Sequence, residues 1–171
     1  MRIEVRDTEE YNTGIHPEVT KIYFYRRDVE DFLKEDRFPN LVKVVIRCKE
    51  LAKLKLNCPS LQKLYCYENQ LTELELNCPS LRELWCYNNQ LAKLELDCPS
   101  LWELCCSHNQ LTELELNFPS LQTLSCNNNQ LSDLNGIEFC ANLKKLCCSP
   151  SQRESAEILK IHLPDLIITY G

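Results

Sequence analysis

A solenoid of stacked short repeats, α/β in type but mostly β, is the fold class this chain predicts, and three observations predict it. The first is a twenty-residue echo: LQKLYCYENQLTELELNCPS, starting at Leu61, returns at Leu81, at Leu101 and, altered, at Leu121. A copy that short cannot bury its own apolar face, so neighbouring copies must stack. The second is alternation. Leu64 and Cys66 lie two apart and face one side of an extended strand, which turns Tyr65 and Tyr67 to the other. The third is the asparagine at 69, 89, 109 and 129, placed where the chain turns away. Its side-chain amide can satisfy backbone groups that the bend leaves unpaired.

The elements follow in order. Arg2 to Arg6 alternates polar and apolar residues and predicts a strand that caps the first edge. Val19, Ile22, Phe24, Val29 and Phe32 fit the template with a longer repeat, and DVEDFLKEDRF turns helical within it. Leu41, Val44, Ile46 and Leu51 keep the frame, with Lys49 in the place of the asparagine and Pro39 where Pro59 stands. After each bend a second extended segment is expected: Leu74 and Leu76 alternate with Glu73 and Glu75 until Pro79 stops it. A repeat this short leaves little room for a long helix there. LSDLNGIEFCANLKKLCC is a longer variant copy with Ile137, Cys140, Leu143, Leu146 and Cys148 inward. SQRESAEILKIHL predicts a short helix capped by Ser155, with Ile158, Leu159 and Leu163 as its apolar residues and Pro164 as its stop. A final strand runs from Leu166 to Tyr170. The reading is one domain over 1–171: a cap at 1–18, repeats over 19–150, and a closing helix and strand over 151–171.

Leu61, Leu64, Cys66, Asn69 and Leu71 spell LxxLxCxxNxL, and the same frame recurs from Leu81, Leu101 and Leu121. This resembles the leucine-rich-repeat family. The resemblance implies a right-handed superhelix with a parallel concave sheet and a protein-binding role. The wording with cysteine on the strand and CPSL between copies is similar to repeats encoded by amoeba-infecting giant DNA viruses and amoeba-associated bacteria. That likeness implies a host protein as target and host cytoplasm as the place of action. Similar bacterial arrays carry a fused ubiquitin-ligase domain, for which no room is expected after Gly171.

Charge and cysteine usage narrow the class further. The net charge of −6, with 26% charged residues, does not favour bulk attraction to nucleic acid or anionic membrane. The opening MRIEVRDTEE has no apolar run of the kind that leads a chain into secretion or a membrane. Cys66, Cys86, Cys106 and Cys126 share one repeat position, and Cys58, Cys78 and Cys98 share another. Residues stacked in register point the same way, which suits a disulfide poorly. They read as reduced thiols filling small holes in the core, in a reducing compartment.

Function belongs to the outward strand positions, because the inward ones are committed to packing. One outward row reads Tyr23, Val45, Tyr65, Trp85, Cys105, Ser125, Cys147; the next reads Tyr25, Arg47, Tyr67, Tyr87, Ser107, Asn127, Ser149. Tyr65, Tyr67, Trp85 and Tyr87 predict one exposed aromatic cluster, with Lys43, Arg47, Lys63 and Arg82 around it and Glu83, Glu103 and His108 near it. Grouped aromatics with arginine are the chemistry of binding hot spots, so a partner protein is expected on this surface. Cross-strand stacking that only stabilises the sheet is the plainer alternative.

Single-stranded nucleic acid is another alternative, since Arg26, Arg27, Lys43, Arg47 and Lys63 lie among aromatics; the acidic background and Glu68, Glu83 and Glu103 weigh against it. Open strand edges leave a homodimer or larger self-assembly as a third. No catalytic residue, metal or cofactor is predicted. Cys105 and His108 lack an oxyanion loop, Glu83 and Glu103 as an acid/base pair are outweighed by chance on a charged sheet, and no CxxC or HExxH occurs. Convex charges that alternate from copy to copy (Lys53, Glu73, Lys93, Glu113) and the Glu75, Glu95, Glu115 row read as a solvated face.

Overall fold

The computed structural model describes residues 1–5, 14–25, 29, 33, 37–114, 116 and 118–171. The strands in chain order are β1 (Arg2–Val5), β2 (Lys21–Phe24), β3 (Lys43–Ile46), β4 (Lys53–Asn57), β5 (Lys63–Tyr65), β6 (Glu73–Asn77), β7 (Glu83–Trp85), β8 (Glu95–Asp97), β9 (Glu103–Cys105), β10 (Thr123–Ser125), β11 (Lys145–Cys148) and β12 (Ile167–Tyr170). Nine of them form a parallel sheet in the order β1-β2-β3-β5-β7-β9-β10-β11-β12, and β4-β6-β8 form a second. Each strand of the larger sheet pairs with its equivalent in the next copy without slip: Leu64 with Leu84, Leu84 with Leu104, Leu104 with Leu124. The smaller sheet holds the second extended segments that the Leu74–Leu76 alternation predicts.

Leucine packs the space between the sheets. Leu61, Leu64, Leu71, Leu81, Leu84 and their later equivalents are fully buried, and Cys66, Cys86, Cys106, Cys126 and Cys148 fill one column among them. Every cysteine is a free thiol. The columns end differently. At the N-terminal end β1 extends the sheet in register with β2, as the capping reading expects, and Val19, Ile22, Phe24 and Val29 are buried behind it. Arg6, Phe32 and most of the expected DVEDFLKEDRF helix lie outside the described residues, as do Arg26, Arg27 and Glu115.

The asparagine ladder carries the turns. Asn89 Nδ2 donates to the carbonyls of Cys66 at 3.0 Å and Cys86 at 2.9 Å, while its Oδ1 accepts from Leu71 N at 2.9 Å. Asn109 and Asn129 repeat the arrangement one and two copies on. The residue before each ladder asparagine has a left-handed backbone: Glu68, Asn88, His108 and Asn128 lie at φ of 55°, 53°, 54° and 54°. In the earlier copy the left-handed residue is Lys49 itself, at φ 61°, so that turn is displaced by one position. Lys49 therefore does more than stand in for an asparagine. The ladder begins at Asn69, whose Oδ1 is buried without a partner where Asn89 has Leu71 N.

The C-terminal end departs from expectation in two places. Helix α1 spans Arg153–His162 and follows a 3-10 turn over Pro150–Gln152, so Ser155 lies inside it. Ser149 opens the helical segment instead, its N–H donating to Gln152 Oε1 at 3.0 Å, because proline favours a first helical position and the glutamine side chain reaches back. Leu159 and Leu163 are buried but Ile158 is exposed, since one turn of this helix touches the core and Ile158 lies off that face. No helix among the described residues is long and apolar enough to cross a membrane.

Candidate functional site

Strands β5 and β7 face outward with rings two residues apart, and parallel pairing without slip sets each ring on its neighbour's equivalent. Tyr65 pairs in register with Trp85, and their rings stack at 4.5 Å with 19° between planes. Tyr67 stacks on Tyr87 at 4.7 Å and 4°, and Tyr67 meets Trp85 at 6.4 Å in a tilted contact that joins the two pairs. The four rings are one cluster. They are half-buried, not exposed, because stacking across a strand spacing covers one face of each ring.

Carboxylates hold the rings in place. Tyr65 Oη donates to Glu83 Oε2 at 2.7 Å, and Trp85 Nε1 donates to Glu103 Oε1 at 2.9 Å. Lys63 Nζ binds the other Glu83 oxygen at 2.6 Å. Burial pushes the Glu83 carboxyl up, but the hydrogen bonds from Lys63 and Tyr65 outweigh it, and the net shift is downward. Burial, and then the bond to Glu83, raise the Tyr65 phenol. Both partners thus stay in their bonded protonation states at neutral pH. Glu83 and Glu103 face one another in register, but each is committed to an aromatic donor instead of an acid/base pair.

Cations border the cluster. Lys43 Nζ lies 4.2 Å from the centre of the Tyr65 ring, and the neighbouring Tyr67 hydroxyl shifts the Arg47 guanidinium above its ordinary value. Tyr23 is set apart from the four rings, because β3 places Val45 between Tyr23 and Tyr65 in the same row. Val45 is 3% exposed, so this outward position is covered from both sides. Tyr23 carries Arg2 over its ring instead, at 4.1 Å. Tyr25 is exposed at the margin and Arg82 stands on the rim before β7.

His108 belongs to the turn after β9, where its Nε2 lies 3.4 Å from Asn128 Nδ2. Cys105 is half-buried beside Ser107 and its thiol is pushed up by burial, which is the reverse of an activated nucleophile. Two further outward positions prove buried: Ser107 Oγ donates to Asn127 Oδ1 at 2.5 Å, and Cys147 Sγ approaches the same oxygen at 3.5 Å. The later half of the face is thus a strip of small side chains, buried at Ser107 and Asn127 and half-buried at Ser125, Cys147 and Ser149.

Trp102 was missed in the sequence. It is 43% exposed, and its backbone N–H donates to the Arg82 carbonyl at 3.0 Å, which sets the two residues side by side on the rim. The signal was present: it is an aromatic at the position after the first leucine of a copy, where the other copies carry Gln62, Arg82 and Gln122.

Comparison with known proteins agrees with this geometry. The family described as Leucine Rich repeats (2 copies) matches residues 59–98 and again residues 99–138. The two matches together take in just under half of the chain. Among solved structures, YopM from Yersinia enterocolitica WA-314 is similar with a TM-score of 0.70 and 25% identity, over 92% of this chain and 34% of that one. The functional domain of InlJ from Listeria monocytogenes, whose description says it includes a cysteine ladder, is similar with a TM-score of 0.60 and 23% identity, over 89% of this chain and 38% of that one. The chain therefore spans about a third of the length of either, and the likeness shows the solenoid fold. No curated protein sequence matches the chain significantly. Leucine-rich-repeat proteins in general act as protein-interaction scaffolds, presenting the extended concave surface that a stack creates.

Proposed function

We propose that this chain is a non-enzymatic scaffold that recognises a partner protein through the concave face of β2, β3, β5, β7 and β9. The observation that carries this reading is the joined cluster of Tyr65, Trp85, Tyr67 and Tyr87, bordered by Lys43, Arg47 and Lys63. Rings already held by neighbours and by Glu83 and Glu103 lose little freedom when a partner covers them, which is the physical advantage of an aromatic anchor. The target is a host protein, met in a reducing cytoplasm, where stacked free thiols stay reduced.

Affinity capture from the native cell extract, followed by a binding curve for the captured protein, tests the reading. Tyr67→Ala with Trp85→Ala should weaken binding at least about a hundredfold, the loss expected for two hot-spot side chains. Tyr87→Ala, at the edge of the stack, is the milder variant that keeps the fold, as far-UV circular dichroism would show. Equal binding by wild type and both variants refutes the proposal.

A further inference from the structure

The first outward position of each strand forms a third row, and its charges are arranged against the protein's own stability. From β1 onward the residues paired in register are Arg2, Lys21, Lys43 and Lys63, followed by Glu83 and Glu103. Four cations stand on four adjacent strands, about 14 Å from end to end. Like charges directly opposite on neighbouring strands are destabilising.

The convex sheet shows the contrary habit. There Lys53 faces Glu73 in register and bonds it at 2.6 Å, Lys55 faces and binds Glu75, and Lys93 binds Glu95 within its own copy. Glu75 opposite Glu95 is the convex exception. On the concave row the exception runs the other way: only Lys63 and Glu83 are matched in register.

Some of the four cations are answered. Arg2 pairs with Glu4 at 2.7 Å and Lys63 with Glu83 at 2.6 Å. Lys43 has a ring beneath it instead of a carboxylate, and Lys21 is exposed with no partner among the described residues. In a molecule of net charge −6, the two least answered lysines stand side by side, and Lys43 of the pair lies against the aromatic cluster.

We propose that the concave face takes an extended acidic segment of a partner protein, with its carboxylates on Lys21 and Lys43 and its apolar side chains on the Tyr65–Trp85 stack. This rests on the protein-recognition reading above. The length fits: an extended chain rises about 3.3 Å per residue, so the cationic row spans about four residues of such a segment. It fits a phosphate backbone poorly, because the row turns acidic at Glu83 and Glu103 and a longer strand would run onto carboxylates. The net negative charge of the whole disfavours an acidic chain on most of the surface, which gives the contact register as well as strength.

The experiment is selection from a phage-displayed library of random 12-residue peptides on wild type, on K21Q/K43Q and on Y67A/W85A, with labelled oligo(dT) as a parallel probe. The proposal expects wild type to enrich peptides rich in Asp and Glu. Synthetic copies of them should bind K21Q/K43Q roughly fivefold to tenfold more weakly at low salt, with the difference shrinking as salt rises. K21Q/K43Q should melt no lower than wild type, because like-charge repulsion is relieved. Enrichment without acidic bias, or acidic bias that persists in K21Q/K43Q, overturns the proposal. Binding of oligo(dT) that K21Q/K43Q abolishes overturns it in favour of nucleic acid. Non-acidic peptides that depend only on Tyr67 and Trp85 would leave the recognition reading standing and remove this one. Peptides indifferent to Y67A/W85A, or no enrichment at all, remove both.

Discussion

Asn109→Ala and Asn69→Ala should destabilise the protein unequally, and the inequality follows from one hydrogen bond. Asn109 Oδ1 accepts from Leu91 N at 3.0 Å, and its Nδ2 donates to the carbonyls of Cys86 at 3.1 Å and Cys106 at 3.0 Å. Alanine there removes two donated bonds worth about 1 kcal/mol each and strands a buried amide, for a further 1–3 kcal/mol or so. The sum is about 4 kcal/mol. Asn69 donates in the same way, to the equivalent carbonyls of Ile46 and Cys66, but its Oδ1 has no donor to lose. Its replacement should cost about 2 kcal/mol, so the two variants differ by about 2 kcal/mol, or roughly 4–8 °C in midpoint for a chain of this size. Urea denaturation followed by circular dichroism and by the fluorescence of Trp85 and Trp102 measures the difference. The two probes must coincide, since stacked repeats can unfold in parts. Equal losses from the two variants would refute the idea that the ladder works by satisfying the preceding copy's backbone.

Two other outcomes are expected. Glu68 holds a left-handed backbone that asparagine tolerates better and that Asn88 and Asn128 occupy, so Glu68→Asn should raise stability by about 0.5–1 kcal/mol, read as a higher urea midpoint; an unchanged or lower midpoint counts against strain at this turn. Burial pushes the thiols of Cys66 and Cys98 up to about 12 from 9.0, so the folded protein keeps protons that the unfolded chain releases. Stability from this source is full below pH 9 and falls through the window from 9 to 12, by about 1.4 kcal/mol per unit for a thiol as buried as Cys66. Urea midpoints under reductant from pH 8 to 11 should fall steadily, and a flat profile to pH 11 would contradict it.

Much of the fold is legible in the residues because a repeat states its register many times. The Leu64, Leu84, Leu104 and Leu124 column, the cysteine column and the asparagine turns each follow from the position of one residue in a frame. The ends of the chain are less legible, for the frame drifts there. Ser149, and not Ser155, opens the last helical segment because a proline and a glutamine cooperate in a way that a single capping residue does not signal. Within the site the aromatic cluster was visible, but its half-burial was not, nor were the bonds from Tyr65 to Glu83 and from Trp85 to Glu103, which cross from one outward row to another.

By itself the sequence determined the stack, its strand faces and the band of rings between Tyr65 and Tyr87, since these follow from periodicity alone. Only the tertiary structure decided what each outward side chain has left to offer. Val45, Ser107 and Asn127 point outward by alternation, yet they are covered by neighbours from other copies. Lys21 and Lys43 hold equivalent positions to Lys63, yet only Lys63 meets a carboxylate. Exposure and pairing depend on what the adjacent strand carries about 4.8 Å away, and that neighbour is fixed by the register of stacked copies, not by distance along the chain.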